Sequence, residues 1–174
     1  MRQAQLRHVI LELGERFGID DFFVIGSAAI LAALPDPPDG ALTATRDVDV
    51  IPPGDDERLA DQISFVMGEA SDFDRDYGYY AEGVTSSTPS FAPKHWKARA
   101  LPVRAMKYTA HCMEAHDLVL SKLGIGREKD LEFARAAVSL ALVQQATLLE
   151  RVAEVNASEQ ILELIRKRIT RLYG

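Results

Sequence analysis

Apolar residues recur at Leu6, Val9, Ile10, Leu13 and Phe17 before Gly18. The i, i+3, i+4, i+7, i+11 spacing predicts an amphipathic helix over residues 2–17. Phe22-Phe23-Val24-Ile25 is a continuous apolar run and reads as a buried strand. Gly26-Ser27 punctuates it, and Ala28 to Leu34 then reads as a buried helix stopped by Pro35. Residues 35–40, with three prolines and a glycine, make a loop. Asp47-Val48-Asp49-Val50-Ile51 alternates polar and apolar up to Pro52-Pro53-Gly54, the pattern of a strand with a hard stop. Leu59, Ile63, Val66 and Met67 mark a second amphipathic helix at about 55–68.

Residues 71–98 are rich in Gly, Ser, Thr, Pro and aromatics, with one short strand expected at Tyr79 to Val84. A weaker strand runs from Arg99 to Lys107, with Leu101, Val103 and Ala105 on one face. Beyond His116 the pattern is helical, at about 115–124, 128–141, 145–154 and 157–171, the last opened by Asn156 as cap with Glu159 at the third position. The order is helix, strand, helix, strand, helix, hairpin and helical tail. It describes an α+β protein, a small mixed sheet flanked by helices with a C-terminal helical segment. At 174 residues the chain reads as one domain, an α/β core over about 18–110 with helices 115–172 packed on it.

Composition narrows the functional classes. Hydrophobic residues make up 47% and charged residues 26%, which excludes a disordered chain. No apolar stretch approaches 18 residues, so no membrane span is expected. The first residues carry no secretory pattern, and the single cysteine, Cys112, suits a reducing cytoplasm. A net charge of −6 argues against broad electrostatic binding of nucleic acid. The charge is unevenly spread. Twelve acids against three arginines give −9 between Asp36 and Asp76, whereas eight bases against three acids give +5 between Lys94 and Lys129. Such segregation sets a cation-seeking patch beside an anion-seeking one, or merely decorates a solvated surface.

Three places carry candidate chemistry. On a strand, Asp47 and Asp49 point to the same face while Val48 and Val50 point to the other. Two adjacent carboxylates at a strand end suit a hard cation such as Mg²⁺, although a lone D-x-D is more often a plain strand edge. Gly26-Ser27 stands where a strand turns into a helix, which is either a phosphate cradle or an ordinary serine cap. In Lys122-Leu123-Gly124-Ile125-Gly126-Arg127-Glu128-Lys129-Asp130, a lysine ends one helix and Arg127 and Asp130 open the next. Lys122 and Arg127 suit a triphosphate, and Asp130 would orient them or act as a base, unless all three only dress helix ends.

Together these residues resemble the nucleotidyltransferase-like superfamily, with the minimal fold of the DNA polymerase beta type. The likeness lies in the apolar strand ending in Gly26-Ser27 and in Arg46-Asp47-Val48-Asp49-Val50 on the next strand. The stretch from Asp117 through Lys122 to Leu131 is similar to the Lys/Arg/Asp segment of an AbiEii-like bacterial branch that includes toxins of toxin–antitoxin systems. The resemblance implies Mg²⁺-dependent transfer of a nucleoside monophosphate from an NTP to a hydroxyl on RNA, protein or a small molecule. It implies Asp47 and Asp49 as metal ligands, with Lys122 and Asp130 beside them in catalysis. It also implies Gly26, Ser27, Arg46, Lys122 and Arg127 as nucleotide contacts. An antitoxin partner and a homodimer are further expectations. Two departures stand out. Nineteen residues separate Ser27 from Asp47, and strand 99–107 has no third carboxylate, leaving Glu82, Glu114 or Asp130 to supply it. If none does, the chain is a nucleotide- or partner-binding module that has lost transfer.

Other templates do not fit. There is no G-x-G-x-x-G, no Walker A and no nucleophile elbow. His111, Cys112, Glu114 and His116 could ligate zinc but match neither H-E-x-x-H nor H-x-x-E-H. Trp96 is either a base-stacking platform or a core residue, and the basic run Arg166-Lys167-Arg168 with Arg171 suits a helix C-terminus.

Overall fold

The computed structural model describes residues 1–174. Helix α1 (Gln3–Phe17) buries Leu6, Val9, Ile10 and Leu13 and ends on Gly18 in the left-handed conformation. β1 (Asp21–Ile25) and β2 (Asp47–Ile51) stand where the apolar patterns put them. Between them, Ser27–Ala32 winds as a 3₁₀ helix rather than the longer helix expected to Leu34. The segment is short, is followed by Pro35 and buries Ala28, Ala29, Ile30 and Leu31. α2 (Glu57–Met67) is capped by Asp56, whose carboxylate accepts from the Arg58 and Leu59 amides.

Several elements depart from expectation. α3 (Asp72–Tyr77), capped by Ser71 and Gly78, and the single turn α4 (Trp96–Arg99) are too short for apolar periodicity to reveal. β3 (Tyr80–Gly83) and β4 (Leu101–Ala105) fall inside the expected strands, whereas β5 (Tyr108–Cys112) lies beyond them. β4 and β5 form the antiparallel hairpin, and β3 lies at the opposite edge in the order β3-β2-β1-β5-β4. β1 runs parallel to β5 and antiparallel to β2, and β2 runs parallel to β3.

The tail contains α5 (Ala115–Ile125), α6 (Glu128–Ser139), α7 (Gln145–Arg151) and α8 (Glu159–Tyr173). α8 is capped by Ser158, not Asn156: the Ser158 hydroxyl accepts from the Ile161 amide at 3.4 Å, which leaves Glu159 at the first helical position. A buried ionic network ties α5 to α4 and α7. Asp117, fully buried, takes both Arg99 (2.8 and 3.0 Å) and Arg151 (2.9 Å). The apolar core of 41 buried residues runs from Met1 to Ile169 and includes Trp96, packed edge-on to Phe23 at 5.4 Å. No helix is long and apolar enough to cross a membrane.

Register then decides what faces what. Asp49 pairs with Ile25 on one side and Glu82 on the other, so the polar face of β2 continues onto β3. Val48, Val50, Phe22, Val24 and Ala81 alternate onto the opposite, buried face.

Candidate functional site

A cavity of about 310 Å³ opens where β1 and β2 meet α5 and α6. Gly26, Ser27, Asp47 and Asp49 line it together with Lys122, Arg127, Lys129 and Asp130. Its apolar wall includes Ile25, Met113, Leu118, Ile125 and Phe133, and Thr88 and Pro89 reach over from the loop after β3. That loop is moored at its start, where Asp55 accepts from the Ser86 amide at 2.7 Å and from its hydroxyl. The acidic and basic stretches of the chain thus contribute side chains to one cavity.

On the acidic wall, Asp49 sits against Gly26. That glycine has φ 68° and ψ −171°, a conformation open to glycine alone. A Cβ there would also run into Asp49 Oδ2. Burial, reinforced by the neighbouring charge of Asp47, pushes the Asp49 carboxyl up to about 7. Asp47 accepts a hydrogen bond from the Thr45 hydroxyl. Two crowded carboxylates on one strand face, one of them reluctant to ionise, form a donor set that a divalent cation would satisfy. Mg²⁺ takes one or two carboxylates and completes its shell with water and phosphate oxygens. The residues therefore fit a Mg²⁺ ion, and no group of three His, Cys, Asp or Glu side chains gathers to make an all-protein metal cage.

On the basic wall, Lys122 Nζ donates to Ser27 Oγ at 2.9 Å and lies 3.5 Å from Asp130 Oδ1. Burial holds the Lys122 ammonium below its ordinary range despite Asp130. Asp130 is fully buried. It accepts from Arg127 Nε at 2.7 Å, Nη2 at 3.3 Å and the Arg127 amide at 3.2 Å. Burial would raise its carboxyl, but the Arg127 hydrogen bonds and the charges of Lys122 and Arg127 outweigh that and hold it low. With both oxygens spent on these cations, Asp130 orients them and is poorly placed as a base.

Residues 4–171 match the family described as Nucleotidyltransferase of unknown function (DUF6036). The chain belongs to this family. The match bears out the nucleotidyltransferase-like resemblance and does not extend to the AbiEii-like branch. No curated protein and no solved structure matches the chain.

In this nucleotidyltransferase, most of the expected residues converge on the cavity, and Arg46 does not. Its guanidinium donates to the Gly78 carbonyl at 3.0 Å and pairs with Asp74, stacked over Tyr80. The reason is local: it precedes Asp47 by one residue, and α3 offers it an acid there. Of the three candidate third carboxylates, Glu82 stands beside Asp49 in register, on strands roughly 4.8 Å apart. Its Oε1 accepts from the Glu69 amide at 3.1 Å. Glu114 is absorbed in the network with His116 and Arg151, which together hold its carboxyl at about 2 against the opposing effect of burial. The candidate zinc ligands disperse: His111 bonds Asp21 at 2.9 Å, His116 bonds Glu114 and Gln144, and burial pushes the Cys112 thiol up to about 12. Lys129, absent from the expected contacts, also lines the cavity. Its place in the basic stretch was the available signal.

The Gly26 contact gives a direct test. Gly26→Ala should destabilise by at least about 2 kcal/mol from backbone strain alone. A Tm lower by roughly 4–8 °C is expected for a chain of this size, read by thermal melting.

Proposed function

We propose that this nucleotidyltransferase binds an NTP with Mg²⁺ in the β1–β2–α5–α6 cavity and transfers the nucleoside monophosphate to a hydroxyl acceptor. The observation that carries the reading is the pairing across one cavity of Asp47 and Asp49 with the Ser27–Lys122–Asp130–Arg127 chain. Asp47 and Asp49 would hold Mg²⁺, which when bound neutralises charge on the reacting phosphates and the departing pyrophosphate. Lys122 offers a point charge and Arg127 a fork to the phosphate oxygens. Gly26 and Ser27 bring backbone and hydroxyl close to the same oxygens. The acceptor oxygen attacks the α-phosphorus in line, the bond to the bridging oxygen breaks and pyrophosphate leaves. The hydroxyl proton passes to water or to a carboxylate lining the cavity.

A second reading has its own observation. Glu82 is turned toward the Glu69 amide, and no three-carboxylate cluster is assembled. That favours a module that binds nucleotide without transferring it. A toxin–antitoxin or phage-defence role would add a biological setting to the same chemistry and rests on the sequence resemblance alone.

Thermal melting with each NTP, with and without Mg²⁺, tests the binding. Ligand at 100 times its Kd adds about 2.7 kcal/mol, roughly 5–10 °C here. The rise should require Mg²⁺ and vanish in an Asp47→Ala/Asp49→Ala variant. No rise with any NTP would overturn the reading. Incorporation of α-labelled NTP then separates transfer from binding alone.

A further inference from the structure

The last helix lines no part of the cavity, but it packs on α5 and α6, which do. Arg168 of α8 donates through Nη1 to the Leu123 carbonyl, and to the Gly124 carbonyl at 3.3 Å. These belong to the last turn of α5, whose four terminal carbonyls have no helical partner. The Gly126 amide closes on the Lys122 carbonyl at 2.8 Å, and Arg168 takes the next two from 45 and 44 residues away. Gly126 has φ 71°, and a Cβ there would run into the Arg168 guanidinium. On the neighbouring turn, Gly124 leaves room for the Phe91 ring, from the loop that also brings Thr88 and Pro89 over the cavity. The segment linking Lys122 to Arg127 is therefore gripped by Phe91 and Arg168, and both glycines are spaces that these side chains fill. A cation at a helix C-terminus also complements the helix dipole.

We propose that Arg168 is a positioning residue that fixes the α5–α6 turn so that Lys122 and Arg127 are presented together to the phosphates of the bound nucleotide. This rests on the nucleotide reading above. Arg168 touches no substrate itself. It lowers the entropy that phosphate binding would otherwise lose in ordering the turn, so its loss acts as a reduced fraction of binding-competent protein.

The test compares wild type, Arg168→Met, which keeps the aliphatic stem, and Arg168→Lys, which restores a cation. Affinity for ATP with Mg²⁺ is measured by calorimetry at a temperature where all three are folded, and amide hydrogen exchange is followed over residues 123–127. Arg168→Met should weaken binding about tenfold, the effect of a competent fraction near one in ten. It should also speed exchange in that turn, with Arg168→Lys recovering part of both. An affinity within twofold of wild type in Arg168→Met would overturn the proposal, even with a lower Tm, because Arg168 would then be only a helix cap. A wild type that binds no NTP would overturn the nucleotide reading instead. The same comparison made with inorganic tripolyphosphate, which needs the cations but no nucleoside, would then decide whether Arg168 positions them.

Discussion

Asp49→Asn should abolish nucleotidyl transfer and at the same time make the metal-free protein more stable at neutral and alkaline pH. The amide keeps the shape of the side chain beside Gly26 and removes a charge from the pair proposed to hold the metal. Losing such a ligand is worth about 4 kcal/mol in the transition state, or about a thousandfold in kcat/KM. The stability effect has the opposite sign. Burial and the Asp47 charge raise the Asp49 carboxyl from 3.8 to about 7 in the fold. Below pH 4 the group is protonated in folded and unfolded chains alike and no penalty applies. Between pH 4 and 7 the unfolded chain ionises first, so the wild type loses stability as pH rises through this window. Above pH 7 the full cost, about 2–4 kcal/mol, weighs on the folded state. Asn carries none of it. At pH 8 without metal the variant should melt roughly 5–15 °C higher than wild type, with the gap closing at pH 4. Saturating Mg²⁺ should narrow the gap at pH 8, since only the wild type keeps the carboxylate pair proposed to bind it. Equal Tm values at pH 4 and pH 8 would show that Asp49 is not crowded in the way its contacts imply.

Asp130→Ala is expected to lose on both counts. The Asp130 carboxylate has no exposure, and it is the shared anion of Lys122 and Arg127. Its removal leaves the largely buried Lys122 ammonium with the Ser27 hydroxyl as its hydrogen-bond partner and its face against the Phe133 ring at 4.6 Å. Breaking a buried pair from one side costs about 3–5 kcal/mol. Here Arg127 is largely exposed and regains water, so about 3 kcal/mol is expected, a Tm lower by roughly 6–12 °C. The sign with pH is the reverse of that for Asp49. Because the Asp130 carboxyl is held below its ordinary range, its stabilisation is complete above about pH 4 and is lost as pH falls through the folded value. The deficit of the variant should therefore shrink in acid. With both cations unfixed, affinity for NTP should fall about 10–100-fold, measured by calorimetry. Normal affinity in Asp130→Ala would detach Asp130 from the phosphate-binding role of its partners.

Much of this was legible because it is local. The side-by-side placement of Asp47 and Asp49 follows from the two-residue period of a strand. The Gly26-Ser27 turn follows from an apolar run that stops at a glycine. Arg127 and Asp130 sit three apart at a helix start, within reach by helical geometry alone. The α+β class and the long amphipathic helices could be read for the same reason, since periodicity needs only neighbours along the chain. Where a segment was short, as in α3, α4 and β5, there were too few positions for a period to register.

The tertiary structure decided everything that depends on segments distant in sequence. Lys122 meets Ser27 across 95 residues, and no spacing rule encodes that meeting. Sheet order put Glu82 beside Asp49 and sent Glu114 into a network with Arg151. Arg46 lay next to the D-x-D pair in sequence, yet Asp74 and Gly78 drew it away. Arg168 looked like one base among several at a helix end until α8 packed its guanidinium against open carbonyls of α5. Sequence alone determined which residue types were available and which face of each element they occupied. Packing of the core against the sheet determined which faces meet, because hydrophobic burial is non-directional and only the closed fold selects one pairing among many.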